Sequence, residues 1–402
     1  MNGVEGFMYP NEIGLQWSVL IVLYPYITGL VAGAFILASL VRIFRVKAIE
    51  PRIFRVKAIE PTYRLALLTA LSFLLVAPLP LQLHLGHPER SPEMYFTPHS
   101  TSAMAMFGYI YLWYLMAVLV LEIWLDYRRE IVLLSQSSKG LLRIIYRIMT
   151  LGSSNISTRS LAIDNRVGWI VTLIGIPSAF LLHGYVGFIF GSIKANPWWS
   201  SPLMPVVFIF SAMVSGIAGV MLLYMAITKL RKQKIDVHCV DSIAMYLFYI
   251  FIIDFSLEML DLVHRVYEAD ESFRSLNFLV HTQLYIPHIV IQIFLGTLTP
   301  LVLLFITQVV KLPEIVRKRM YAVSGSLALI GIFAMRWNVV IGGQLFSKSF
   351  LGYTTYKMTL VTKEGLIVAV FLTLLPLFFL WVLVKLLPPW PENHAHAPAA
   401  GD

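Results

Sequence analysis

Four ionisable residues share one face of a single apolar segment. Asp254, Glu258, Asp261 and Arg265 stand at i, i+4, i+7 and i+11 within Ser242–Val266. On a helix those offsets form one stripe. A second apolar segment, Tyr321–Ile341, carries Arg336. A charge at bilayer depth is costly unless it is paired or meets water, so such residues mark places where charge or protons are handled. Counted at about 1.5 Å per residue from the start of each segment, Asp254 lies roughly 18 Å in, Arg336 about 22 Å and Glu258 about 24 Å. Those depths permit a Glu258–Arg336 pair. His288 and Gln292, at i and i+4 of another apolar segment, face the same group. The chemistry available to Asp254, Glu258, Asp261, His288 and Arg336 is a proton path, with carboxylates one turn apart relaying through water. The competing reading is that the charges pair and lock helix register. A buried ion pair seldom adds stability over apolar packing, which favours a use for it.

A second group of polar residues gathers where the first four apolar segments end on one side. It comprises Tyr24, the run His84 to Arg90, His99 to Ser102 including Thr101, and His183 with Tyr185. Because the segments alternate in direction, these side chains sit at similar depth. Hydroxyl and imidazole groups at the edge of an apolar bundle suit the two carbonyl oxygens of a quinone and the protons it exchanges. Taken singly, each residue has a plain reading, since Tyr and Trp favour interfaces and a lone His usually has a hydrogen-bond partner. For Trp198 and Trp199 the plain reading is preferred. For the cluster as a whole, Tyr185, Tyr24, His84, His183 and Thr101 read as a binding site.

Elements able to hold such groups follow from composition. The chain has 402 residues, of which 58% are hydrophobic and only 13% charged, and its mean hydropathy is +0.75. This is the signature of a polytopic, all-α membrane protein. The net charge of +9 sits in short loops, where orientation and lipid headgroups explain it better than nucleic acid does. The single cysteine, Cys239, excludes an intrachain disulfide, and an iron–sulfur cluster or Cys-based zinc site made by this chain alone.

Nine spans are expected: Trp17–Val41, Tyr63–Leu83, Ala103–Asp126, Val167–Phe190, Pro202–Ile227, Ser242–Val266, Leu284–Val309, Tyr321–Ile341 and Thr362–Leu386. Ile131–Met149 reads as an amphipathic helix on the membrane face. Lys and Arg concentrate in the loops after the first, third, fifth and seventh spans. That bias places the N-terminus outside, on the periplasmic side, and the C-terminus in the cytoplasm. No positive charge precedes Arg42, so the first span lacks the basic start of a cleaved signal peptide. Arg42–Pro51 is repeated letter for letter as Arg52–Pro61. No repeat fold has a ten-residue unit in one loop only, so a small tandem duplication or a sequence error explains it, in a loop that tolerates insertion. The Pro-, Ala- and His-rich tail from Pro388 reads as disordered; His394 and His396 could bind metal, but a solvated tail is preferred.

The motifs resemble a known family. His84-Leu-Gly-His-Pro-Glu-Arg90 followed by Thr97-Pro-His-Ser-Thr-Ser-Ala-Met104 is similar to the signature after the second span of the NrfD/PsrC-type membrane subunits of polysulfide reductase-like complexes. His183-Gly-Tyr-Val-Gly187, Pro197-Trp-Trp199 and Pro202-Leu-Met-Pro205 resemble its next motif. Asp261-Leu-Val-His-Arg265 and Arg336-Trp-Asn-Val-Val-Ile-Gly-Gly-Gln344 are similar to the longer HybB/DsrP-like branch. The resemblance covers most of residues 17 to 387.

It implies two four-helix bundles plus a peripheral span: residues 1–16 periplasmic, 17–190 the first bundle, 202–343 the second with the charged stripe, 362–387 the peripheral span and 388–402 a cytoplasmic tail. It implies menaquinone or ubiquinone bound as substrate in the outer half of the first bundle, with no haem or metal in this chain. Tyr185, in Tyr185-Val-Gly187, is then the quinone contact and Tyr24 the matching residue of the first span. Some relatives have Asp where this chain has His84. The implied partners are a periplasmic ferredoxin-like iron–sulfur subunit and a catalytic subunit, whether molybdoenzyme, hydrogenase or multihaem cytochrome, in a prokaryotic cytoplasmic membrane. Two rivals remain. A cytochrome b-type protein needs paired histidines at matching depth; His84 and His183 nearly qualify, but no second pair stands at the cytoplasmic side. A secondary transporter needs inverted repeats with broken helices at the midplane, and Gly175-Ile-Pro177 has no obvious counterpart.

Overall fold

The computed structural model describes residues 4–46, 56–97, 99, 101–268 and 272–390. Among them, nine helices are long and apolar enough to cross a membrane, and the all-α, nine-span expectation holds. We number them α1 (Val19–Val46), α2 (Tyr63–Val76, continued by Leu79–His84), α3 (Ala103–Ser137), α4 (Thr158–Gly191), α5 (Met204–Leu230), α6 (Val237–Glu268), α7 (Tyr285–Val309), α8 (Glu314–Val340) and α9 (Leu366–Leu386). Residues 47–55 of the repeated segment, the tail from residue 391, Pro98, Ser100 and the Arg265 side chain lie outside the described residues. The strand content described is a two-residue pair, β1 (Glu5–Gly6) antiparallel to β2 (Gly352–Tyr353). It ties the N-terminal segment to the α8–α9 loop. We call the face where α1 begins the N-terminal face and the opposite one the basic face.

One boundary differs from the sequence reading. The third span runs on to Ser137, so Ile131–Ser137 belongs to α3 and the amphipathic helix is only Gly140–Met149. The break is local: Ser138 and Lys139 are extended, and Gly140 takes φ +61°, a left-handed conformation that glycine adopts without penalty. On this short helix Leu141, Ile144 and Ile148 are exposed beside Arg143 and Arg147, as suits a helix lying in a membrane surface. Its buried Tyr146 donates to the Leu386 carbonyl (2.9 Å), anchoring it to the end of α9.

α1 is the most enclosed of the nine spans and α9 the least. The most extensive helix pairing is α1 on α5; α1 also packs on α2, α4 and α8, while α5 packs on α6 and α8 and α7 on α8. α9 lies against α2. Two glycine pairs allow backbone-to-backbone approach. A Cβ on Gly33 of α1 would stand 2.8 Å from the Cα of Gly216 on α5, and one on Gly331 of α8 would stand 2.5 Å from the Cα of Gly296 on α7. Small residues at such crossings are how membrane helices gain dispersion contact where no hydrophobic driving force separates lipid from protein.

Two spans are locally widened into π-helix, α3 over Tyr114–Val120 and α7 over Tyr285–Leu298. In α7, Pro300 has no N–H for the Gly296 carbonyl and its ring crowds that position. The Thr297 and Thr299 hydroxyls donate to the carbonyls five residues back, Gln292 (2.9 Å) and Phe294 (2.8 Å). Such segments concentrate at functional sites, and this one carries His288 and Gln292.

Replacing Gly216 with Val should force α1 and α5 apart, at a cost of about 1–3 kcal/mol typical of overpacking. The thermal midpoint of the detergent-solubilised protein should fall. Gly86→Ala, where a Cβ meets nothing within 4 Å, should leave it unchanged. Equal midpoints for both variants would refute the close-approach argument.

Candidate functional site

His183 and Tyr185 are two residues apart on α4, about 200° around the helix, so they face different neighbours. His183 points inward and is fully buried. Its Nε2 lies 3.0 Å from a guanidinium nitrogen of Arg336 on α8, and its Nδ1 lies 3.2 Å from Thr28 Oγ1 on α1. A guanidinium only donates. Nε2 is therefore the acceptor, and Nδ1 carries the proton and donates to Thr28. The Thr28 hydroxyl in turn donates to the Tyr24 carbonyl (3.0 Å). Gly29 leaves room for this imidazole: a Cβ there would stand 3.3 Å from His183 Cε1.

Arg336 is 0% exposed. Besides His183 it donates to Ser211 Oγ on α5 (2.7 Å) and the Phe208 carbonyl (3.4 Å), and its guanidinium sits 3.9 Å from the Phe208 ring centroid. Its hydrogen bonds thus run across to α4 and α5, not to Glu258. Glu258 instead accepts from Gln292 (3.3 Å), and Asp254, 2% exposed, has an Oδ1 with no hydrogen-bond partner among the described residues. Asp261 accepts from Ser201. The stripe therefore runs from a deeply buried carboxylate toward the N-terminal face. His288 and Asn338 complete its surroundings: His288 Nδ1 lies 3.0 Å from Gln292 Oε1, which also accepts from Asn338 (2.7 Å).

Tyr185 faces α3, and its hydroxyl donates to the Ala103 carbonyl (3.2 Å). Tyr24, from α1, is buried and packs edge-on to Phe107 of α3 with centroids 5.1 Å apart. Thr101, two residues before Ala103, bonds to His99 Nδ1 (2.7 Å). The structure thus brings Tyr24, Tyr185 and the start of α3 together, with His183 below them on the opposite face of α4. His84 is directed elsewhere, to Glu364 of the α8–α9 loop (3.1 Å).

The run Arg336 to Gln344 closes the C-terminal end of α8, at the N-terminal face of the molecule. The last carbonyls of a helix lack intrahelical partners. Here Trp198 Nε1 donates to Asn338 O (2.8 Å), Trp199 Nε1 to Val339 O (2.6 Å) and Asn196 Nδ2 to Gly343 O (2.7 Å). Gln344 donates to Val340 O (2.8 Å) and accepts from the backbone of Gln16 (3.1 Å) and Trp17 (2.9 Å), just ahead of α1. Trp198 and Trp199 are therefore structural caps. Tyr356, from the following loop, accepts from Val19 N (3.1 Å); burial, with Glu364 nearby, raises its hydroxyl above the ordinary phenol pKa, so it stays protonated.

One polar cluster escaped the sequence reading. At the basic face of the first four spans, Arg42 donates to Tyr63 OH (2.6 Å) and Asp126 (3.2 Å), Arg64 donates to Asp126 (2.8 Å) and Glu130 (2.9 Å), and fully buried Glu122 accepts from Thr172 (2.8 Å). Glu122 inside an apolar span was a readable signal, of the same kind as Asp254. Thr28 and Ser211 gave none, because hydroxyls are common in spans.

The model of the family described as "Polysulphide reductase, NrfD" matches residues 9–348. The chain belongs to this family. Similar proteins include a selenate reductase subunit of Mesobacillus selenatarsenatis, 35% identical over 214 residues, covering 52% of this chain and 48% of that protein. A putative dimethyl sulfoxide reductase membrane subunit of Halobacterium salinarum is 27% identical over 209 residues, 50% of this chain and 41% of its own length. Protein NrfD of Escherichia coli is 26% identical over 228 residues, 57% and 64% respectively. The matched part of this chain thus spans about half the length of the curated relatives. Family and spans together make it a multi-pass membrane protein of the NrfD family.

Arg336→Lys keeps the charge but not the fork that reaches His183 and Ser211 together. Leaving a buried acceptor unpaired costs on the order of 1–3 kcal/mol, so thermal stability should drop clearly. An unchanged midpoint would show that the guanidinium contacts do not hold these helices.

Proposed function

We propose that this chain is the quinone- or quinol-reactive membrane subunit of a respiratory oxidoreductase, exchanging electrons with a periplasmic iron–sulfur subunit that serves a separate catalytic subunit. The observation that carries this reading is the convergence of buried Tyr24, Tyr185 and the start of α3 at the N-terminal face, where the Tyr185 hydroxyl meets the Ala103 carbonyl. Two phenols from different helices can address the two oxygens of menaquinone or ubiquinone. His183 positions α1 against α4 from below, and Thr101 and His84 stand nearer the loops. The orientation follows from the Lys and Arg bias, with the N-terminus and this site periplasmic. Subunits named for selenate and dimethyl sulfoxide reductases among the relatives support a reductase partner. The bis-histidine alternative loses ground because His183 holds Arg336 and Thr28 with its two nitrogens.

In this reading the second group of spans moves protons through Asp254, Glu258, Asp261, His288 and Arg336. Support comes from Asp254 Oδ1, which has no hydrogen-bond partner among the described residues, and from the linkage of Glu258 through Gln292 to His288. An ionisable group at this depth without a full set of partners is expensive to keep for structure alone.

Tyr185→Phe should lower quinol turnover of the assembled complex, by a loss on the order of 1 kcal/mol or more in binding. Full turnover with unchanged quinone affinity would place the site elsewhere. Asp254→Asn keeps the shape but cannot ionise. In reconstituted vesicles it should preserve quinone-linked electron transfer and lower the proton gradient formed per electron. If that ratio stays at the parent value while thermal stability falls, the stripe is structural.

A further inference from the structure

Between α6, α7 and α8, toward the N-terminal face, lies a cavity of about 350 Å³. That is within the roughly 300–1,000 Å³ of small-molecule sites. Neither Tyr24 nor Tyr185 lines it. Its walls are mainly apolar, with Met259, Ile289, Ile293 and Met335 among them, and apolar cavities do not hold water well. Its rim includes Leu262 and Val266, 47% and 49% exposed. Both lie on a membrane span, so the way in is from the lipid.

The polar end of the cavity has a definite hydrogen-bonding character. Asn338 Nδ2 donates to the Pro287 carbonyl (3.2 Å), which fixes the orientation of that amide, and to Gln292 Oε1 (2.7 Å). Gln292 Oε1 is then an acceptor, and His288 Nδ1, 3.0 Å from it, carries the proton. His288 Nε2 is left as a bare lone pair with no partner among the described residues. Gln292 Nε2 donates to Glu258 Oε2 (3.3 Å), and Glu258 Oε1 has no partner among them either. Asn338, 2% exposed, keeps an unpartnered Oδ1 at the same end. The surplus is of acceptors. The indole of Trp198, edge to face with His288 at 5.8 Å, supplies an aromatic wall.

We propose that this cavity is a second ligand site, binding the reduced, hydroxyl-bearing form of a lipid-soluble aromatic ring: a quinol. One of its hydroxyls donates to the acceptors at this end, His288 Nε2 or Glu258 Oε1. The ring lies between the apolar walls, and the tail leaves past Leu262 and Val266 into lipid. An oxidised quinone offers only acceptors to the acceptors at this end, so the end discriminates by oxidation state. It is independent of Tyr185, and the two sites can fail separately.

The probe is 2,3-dimethyl-1,4-naphthoquinol with an alkyl-diazirine tail, kept reduced under anaerobic conditions, with its oxidised form in parallel. The complex in detergent is irradiated and labelled peptides are mapped. The reduced probe should label peptides of α6, α7 or the helix Phe273–His281, and excess unlabelled quinol should compete it away. The oxidised probe should label them several-fold less. Ile289→Trp and, separately, Met259→Trp fill the cavity and should cut that label about tenfold, the equivalent of 1.4 kcal/mol, while any label on α3 and α4 persists. Absent label on α6 and α7, label that unlabelled quinol does not displace, or equal label by both oxidation states overturns the proposal, whatever the folding of the variants. Label on α6 and α7 without any on α3 and α4 would uphold it and count against the Tyr185 site.

Discussion

A guanidinium without solvent contact has to be surrounded before its helices can pack, and Arg336 meets most of that requirement with groups from three other spans, while its Nε keeps no partner among the described residues. His183 of α4 and Ser211 of α5 accept from it directly, and Thr28 of α1 is held through His183. An Arg can satisfy several acceptors at once because its donors are spread over a rigid plane, and Phe208 covers one face of that plane. The result is a fixed relation between the helices carrying the tyrosine pair and those carrying the carboxylate stripe. The same contacts set the protonation pattern of His183, since a donor at Nε2 obliges Nδ1 to carry the proton.

Around this anchor the close helix crossings make sense. Gly33 and Gly216 let α1 and α5 meet backbone to backbone, and Gly296 and Gly331 do the same for α7 and α8. At the N-terminal face, the end of α8 and the start of α1 leave unpaired carbonyls and N–H groups side by side. Gln344 serves both, and the two indoles of Trp198 and Trp199 cap what remains. In lipid the cost of an unsatisfied backbone group is high, which explains why so many side chains of one short run are spent on it.

Two polar regions emerge on different helix sets. The tyrosine pair lies where α1, α3 and α4 converge, and the stripe lies on α6 beside a widened stretch of α7. Neither is an extension of the other: the bridge between them, through Arg336, His183 and Thr28, is made of hydrogen bonds that already have owners. A proton or ligand function in the second set therefore has its own surroundings, an apolar cavity with acceptors at one end. At the basic face, Arg42, Arg64, Glu122 and Asp126 form a third polar region, inside the first four spans.

The sequence by itself determined the class, the nine spans and the family, because apolar runs of membrane length leave little choice once every backbone group must be satisfied internally. It also marked residues able to carry chemistry, since a charge in such a run stands out, although Glu122, marked in the same way, was passed over. It could not decide their partners. Depth along a helix suggested Glu258 for Arg336, yet rotation about α8 directs the guanidinium to α4 and α5. Spacing grouped His183 with Tyr185, but two residues on a helix turn through more than half a circle and separate an inward imidazole from a phenol facing α3. His84 looked like part of the same group until the α8–α9 loop supplied Glu364. Only the tertiary structure fixes which faces meet, because helix rotation and crossing are set by packing among side chains far apart in the chain, and a linear pattern carries depth but not azimuth.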